Sequence, residues 1–252
     1  MAEQKENNKS YFGFREVSEL EKTKLVKSVF SSVVDQYDLM NDLMSFGLHR
    51  IWKNIAITQS GVRKGHKVLD VAAGSGDLTK RLIERVGEGG RVVSVDISQP
   101  MLAKGMRQMV DKGYIKNVDY TLCNAEKLPF QDQYFDCVSI GFGLRNISRI
   151  SSSLRSMFRV LKPGGRILIL EFSEPSSKTL KQIYDQYSFS IIPRLGRAVA
   201  SDEESYRYLA ESIRRHPNQD KLKNMMKDVG FEDVTYTNLT GGIVCIHLGF
   251  RY

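Results

Sequence analysis

Long apolar runs are missing from these 252 residues. No stretch approaches the ~18 residues a membrane-spanning helix needs, so no spanning segment is expected. The first turns of the chain also lack the apolar core of a secretory leader. Cysteine is scarce, and Cys123, Cys137 and Cys245 show no C-x-x-C spacing. They read as small core residues of a reducing compartment. The four histidines (His49, His66, His216, His247) are scattered without metal-ligand spacing, so no metal is expected. Repeats and low-complexity tracts are absent. Lys and Arg total 37 against 29 Asp and Glu, a net charge of +8. No basic block is long enough to prefer RNA and no aromatic-interleaved RNA motif occurs, so nucleic acid is not an expected partner. A hydrophobic content of 41% with 26% charged residues suits a soluble globular chain, and the length fits one α/β domain with insertions.

Apolar segments and helical segments alternate, the signature of a mostly parallel sheet. Strands are expected at Lys67–Val71, Arg91–Asp96, Val118–Cys123, Phe135–Ile140 and Arg166–Phe172. Helices are expected at Asp77–Val86, Pro100–Lys112 and Ser151–Leu161, with Pro163-Gly164-Gly165 as a turn feeding the fifth strand. Two further helices, Glu21–Tyr37 and about Leu48–Thr58, form an N-terminal helical cap over residues 1–60. Residues 61–252 form the main body. Within it, 177–230 is an insertion of two or three helices, and Phe231–Phe250 forms an antiparallel hairpin around Thr240-Gly241-Gly242. The expected architecture has seven strands, with helices on both faces.

The segment KVLDVAAGSGD (Lys67–Asp77), followed by VVSVDIS, is a strand, a glycine turn opening a helix, and a second strand ending in an acid. Gly74 and Gly76 allow a sharp turn and close approach of a ligand. Asp96 stands about 20 positions beyond Gly76, where such folds place the acid that holds a ribose hydroxyl pair. An adenosine-containing cofactor is therefore expected. A dinucleotide fingerprint wants a third glycine, but Thr79 stands there, and Asp70 and Asp77 flank the turn. Negative charge repels a pyrophosphate and favours a sulfonium and an α-ammonium, so S-adenosylmethionine suits this loop better.

Ligands of open α/β sheets lie beyond the carboxyl ends of the strands. That rule selects Asp70, Gly74, Ser75, Gly76, Asp96, Ile97, Asn124, Ala125 and Gly141 as cofactor-binding candidates. Asn124 and Ala125 either read the adenine edge or form an ordinary turn. Ser75 either binds the methionyl carboxylate or stabilises the loop. Gly141-Phe-Gly-Leu-Arg-Asn146 places Arg145 and Asn146 as catalytic candidates. The aromatic and aliphatic run Tyr184–Pro193 is either helix core or substrate wall.

Several blocks resemble the ubiquinone/menaquinone biosynthesis C-methyltransferases. These are YDLMNDLMSFGLHRIWK (Tyr37–Lys53), NAEKLPF, FGLRN, LKPGGRILILEFSEP, YRYLAESIRRHPNQ and NLTGGIVCIH. The likeness runs from about Phe12 to Tyr252, although Ala73 and Ser75 stand where the family often has glycine and threonine. The resemblance implies a Rossmann-like class I methyltransferase that moves a methyl group from S-adenosylmethionine to a ring carbon of a polyprenylated quinol. The substrates it implies are demethylmenaquinol, 2-methoxy-6-polyprenyl-1,4-benzoquinol, or both. Carried over, cofactor contacts fall on Ser75, Asp96, Asn124 and Ala125.

For such chemistry, Arg145 would lower the pKa of a ring hydroxyl and Asn146 would orient that hydroxyl or a water. His216 and Tyr184 are further candidates to fold over the site. The lipid tail implies a cytoplasmic protein that visits the inner membrane surface. Lys178–Ala200, with Lys181, Arg194 and Arg197, is the expected docking lid. A quinone-biosynthesis complex and a homodimer are expectations of the same kind. Rival readings are a methyltransferase for RNA or another small metabolite, a non-catalytic cofactor-binding subunit and, more distantly, a nicotinamide dehydrogenase.

Overall fold

A computed structural model of the chain describes residues 9–252 apart from 35, 37, 38, 40, 43, 44 and 201. Tyr37, the expected end of the first helix, lies outside the described residues. The first described element is a hairpin the sequence did not signal, β1 (Lys9–Phe12) and β2 (Arg15–Ser18). Its four-residue strands are mostly polar, and Gly13 turns between them at φ +59. Helix α1 (Glu19–Ser32) follows, its first turn capped by the Ser18 hydroxyl, which accepts from Glu21 N. Helix α2 (His49–Gln59) completes the N-terminal layer.

The sheet comprises β3 (Lys67–Val71), β4 (Arg91–Asp96), β5 (Val118–Leu122), β6 (Phe135–Gly141), β7 (Leu161–Phe172), β8 (Glu232–Leu239) and β9 (Val244–Phe250). Its spatial order is β5-β4-β3-β6-β7-β9-β8. Strand β9 runs antiparallel to both neighbours, and the other strands run parallel. The expected seven strands and terminal hairpin are present. Among the strands one boundary differs by more than a residue: LKPGG already belongs to β7, and the turn is an irregularity of register against β6 rather than a loop before the strand.

Period-two alternation divides the strands between the two faces of the sheet, one core on the first and two clusters on the second. Leu69, Val71, Val93, Val138, Ile140 and Ile167 pack under α5 (Ile150–Val160) and α9 (Gln219–Val229). Val68, Val92 and Cys137 meet α3 (Asp77–Val86) and Met109 of α4 (Gln99–Asp111). Leu168, Leu170, Val244 and Ile246 join Trp52 of α2 and the helices that follow β7. Those helices are α6 (Lys178–Gln186), a π-helical turn (Tyr187–Ile191), α7 (Ile192–Ala200) and α8 (Glu203–Arg215). Helix α9 falls within the segment expected as an insertion. Its Leu222 and Met226, one helical turn apart, pack into the main core, so it serves as the crossover into β8.

Candidate functional site

Strand order reverses between β4-β3 and β6-β7, and the chain is tightest where β3 and β6 end there. Ala72 and Phe142 occupy left-handed backbone (φ +52 and +56), unusual for residues with side chains. A Cβ on Gly143 would come within 2.5 Å of the Ala72 Cβ, so the two turns pack directly on each other. The glycine turn is similarly compressed. Gly76 caps α3 at φ +83, and a Cβ on Gly105 of α4 would meet the Gly74 carbonyl at 2.9 Å.

Over these turns lies a cleft of about 800 Å³, open mouth included. Of the residues singled out in the sequence, it brings together Gly74, Asp96, Ile97, Asn124, Ala125 and Asn146. Ser98 and Met101 continue its wall. Thr23, Val26, Lys27 and Phe30 of α1 cover it. Sequence reasoning missed this roof because the α1 apolar spacing reads equally as core.

Asp96 organises the floor. Its Oδ2 accepts from Gly74 N at 2.9 Å and its Oδ1 from Ser98 N at 2.8 Å, tying the glycine turn to the start of α4. Burial pushes its carboxyl up from the ordinary range. The Ser98 hydroxyl is buried with no partner among the described residues and lines the same cleft. A carboxylate with lone pairs to spare, an unpaired hydroxyl and apolar walls from Ile97 and Met101 fit a ribose and a flat base. The Asn124 side chain is engaged in its own turn, its Oδ1 accepting from Glu126 N.

The other acids depart from the sequence expectation. Asp70 shares the face of Val68, so it points beneath α3 and not into the cleft. It accepts from Thr79 Oγ1 at 2.6 Å and Ser139 Oγ at 2.9 Å. Thr79, at the absent third glycine, is therefore the lid of a buried polar island. Asp77 is neutralised by Lys53 at 2.7 Å and Arg81 at 3.2 Å. Asp96 alone of the three acids faces the cleft. Ser75 is buried within the turn and Gly141 packs toward Leu78 of α3.

Burial pushes Asp70 up to about 6. An acid whose folded pKa exceeds its unfolded ~3.9 binds its proton better in the native state. Its contribution to stability therefore falls as pH rises from about 4 through 6. Asp70→Asn should gain on the unaltered chain by roughly 2–3 kcal/mol between pH 4 and pH 7.5, read by denaturant unfolding at both. A pH-independent difference would reject this account.

Arg145 and Asn146 occupy a short 3-10 turn after Gly143. They separate. Asn146 faces the cleft, where Tyr208 OH donates to its Oδ1 at 2.9 Å and leaves the amide N–H groups for a ligand. Arg145 turns inward instead, pairing with Glu171 at 2.8 Å, and it also donates to the Phe142 carbonyl. Its backbone N–H reaches Glu171 Oε2 at 3.2 Å. The expected lone cation beside the reacting ring is thus an ion-paired brace. Neither further candidate suits a general base at neutral pH. Burial pushes Tyr184 up to about 12, and burial with the nearby Arg145 pushes His216 down to about 3.

The model of the ubiE/COQ5 methyltransferase family matches residues 17–251. The ubiquinone/menaquinone biosynthesis C-methyltransferase UbiE of Yersinia enterocolitica is 58% identical over 247 residues, covering 98% of each chain. The Yersinia pestis protein of the same name is 57% identical over the same span and coverage. Among solved structures, a SAM-dependent methyltransferase from Aquifex aeolicus superimposes with a TM-score of 0.59 at 18% identity, covering 79% of this chain and 89% of that one. Haemonchus contortus phosphoethanolamine N-methyltransferase 2, in complex with S-adenosyl-L-methionine, gives a TM-score of 0.58 at 18% identity over 79% of this chain and 52% of that one. At such identities the likeness is one of fold, a class I methyltransferase sheet.

Proposed function

Because the chain belongs to the ubiE/COQ5 methyltransferase family, we propose that it methylates a ring carbon of a polyprenylated quinol, with S-adenosylmethionine as donor. It is a C-methyltransferase of ubiquinone/menaquinone biosynthesis. The donor supplies an electrophilic methyl group on a sulfonium, and the ring supplies the electron pair and afterwards loses a proton. The observation that supports this most directly is the union of Asp96 and Asn146 in one cleft. Asp96 would hold the ribose hydroxyls, with Ile97 and Met101 against the base. The Asn146 amide would donate to the ring oxygen as negative charge builds there. Arg145, braced by Glu171, holds the Asn146 turn in place. The roof formed by α1 excludes water and fixes the reactants at attack distance.

A lipid-tailed substrate also needs a route from the membrane. Among the described residues no helix is long and apolar enough to cross one. The segment expected to dock carries less free charge than its sequence implies, for Lys181 pairs with Glu174 and Arg197 with Glu203. Among exposed polar residues such as Gln182, Gln186 and Arg194, apolar side chains are exposed there too. Phe46 is 74% exposed and stacks on Tyr187, Phe14 stacks on Phe189, and Ile183 and Ile191 lie on the same segment. Contiguous exposed aromatics of this kind suit the interface of a bilayer. The reading is thus a peripheral enzyme of the membrane face, gripping by aromatic insertion.

The purified chain should move labelled methyl from S-adenosylmethionine to demethylmenaquinol. Transfer to total RNA without transfer to quinol would sink the proposal. The variant Phe14→Ser/Phe189→Ser should lose most turnover on quinol held in anionic vesicles while keeping that on a short-tailed soluble quinol. Equal loss on both substrates would remove the patch from membrane docking.

A further inference from the structure

A second cavity, about 590 Å³ with its mouth, opens beyond the end of β7. It shares no lining residue with the cofactor cleft. Separate parts of the chain converge on it. Ser173 follows β7, Lys181 lies on α6, Arg214 and Arg215 end α8 with His216 just beyond, and Lys221 stands in the first turn of α9.

All of these side chains donate hydrogen bonds, and the acceptors beside them are already engaged. Glu174 pairs with Lys181, and its carbonyl accepts from Gln219 Nε2 at 2.8 Å. Asn218 Oδ1 accepts from Lys221 N at 3.0 Å as the cap of α9. What remains is a surplus of donors. Ser173 is only 5% exposed, and its Oγ has no partner among the described residues. Arg214 Nε and both ring nitrogens of His216 are likewise buried and unpartnered there. Such groups cost stability unless something fills them.

Charge decides what that filling is. Ion pairs hold Lys181 and Arg214, the second with Asp185, while Arg215 and Lys221 have none among the described residues. His216 adds no charge, since burial and then Arg145 push it down to about 3. Pro217 and Asn218 also line the cavity, so the positive end of α9 abuts it. Water would satisfy the hydroxyl and the imidazole but not the excess positive charge. A metal cation would be repelled. Donors arriving from separate segments suit a tetrahedral oxyanion better than a planar carboxylate, whose lone pairs lie in one plane.

We propose that this cavity binds a phosphate group, apart from the methyl-transfer cleft, carried on a small soluble ligand or on a lipid headgroup. Ser173 Oγ and His216 donate to its oxygens, and Arg214, Arg215 and Lys221 neutralise it.

Two measurements on the full chain separate the sources. Calorimetry at constant ionic strength follows inorganic phosphate, and flotation follows phosphatidylcholine vesicles with or without phosphatidic acid. Saturable binding of free phosphate assigns a soluble ligand. Vesicle binding that requires phosphatidic acid, with free phosphate too weak to saturate, assigns the headgroup. In whichever arm binds, Ser173→Ala removes one buried donor and no charge, and should weaken binding about fivefold. Lys221→Gln should weaken it about tenfold, as for a hydrogen bond to a charged group. Lys227→Gln makes the same charge change on an exposed part of α9 outside the cavity, and should have no effect. Acetate should not compete. Binding in neither arm overturns the site, as does full affinity in either folded variant. Equal loss in Lys227→Gln, or equal competition by acetate, reduces the effect to surface charge and overturns it too.

Discussion

Arg145→Ala is expected to lose turnover by two to three orders of magnitude while still binding S-adenosylmethionine, the scale at which removing one pre-organised polar element usually acts. The reason is positional. The Arg145 and Glu171 side chains are only 5% and 2% exposed, so deleting the cation leaves a carboxylate buried without its partner. Breaking such a pair costs about 3–5 kcal/mol, and the Phe142–Asn146 turn should loosen with it. Denaturant unfolding reads the first effect, and calorimetry beside a turnover assay reads the second. The informative companion is Arg145→Met/Glu171→Met. Replacing both charges with apolar side chains should return most of the stability, since a buried pair is seldom worth more than good packing. Turnover should stay low, because the carboxylate that accepts the Arg145 backbone N–H is gone as well. Near-normal turnover by Arg145→Ala would remove the arginine from the mechanism. Recovery of turnover in the double variant would reduce its role to fold maintenance.

The sheet was legible because its strands are near-continuous apolar runs separated by helical spacing, a pattern few other architectures share. The β1–β2 hairpin was not. It buries little of its own, and its order comes from distant partners, with Phe12 stacked on Tyr208 and Phe14 N bonded to Glu211. The acids around the glycine turn show a different limit. Their spacing identified the turn correctly, but facing is a property of strand phase. Asp70 alternates with Leu69 and Val71 and so follows Val68 under α3. That phase was available in the sequence. The ion pairs that neutralise Asp77 and Arg145 were not, because Lys53 and Glu171 reach them from other elements.

Asp96 carries the heaviest load in the cleft, so its replacement should cost most in cofactor binding. Asp96→Ala removes a charge-assisted acceptor for the ribose, worth about 1.5–3 kcal/mol, and strands the Gly74 and Ser98 N–H groups it now satisfies. A loss of two to three orders of magnitude in affinity for S-adenosylmethionine should follow, measured by calorimetry. Asp96→Asn should recover little. Both carboxylate oxygens already accept backbone donors, and whichever way the amide is turned, its NH₂ must face one of them. The pH dependence has a definite sign. The ionised form binds, and burial raises this carboxyl above the ordinary range. Affinity should therefore fall on acidification, beginning at a higher pH than an exposed aspartate would show. An Asp96→Asn variant that binds like the unaltered chain, or an affinity flat from neutral to mildly acidic pH, would mean that the donor sits elsewhere in the fold.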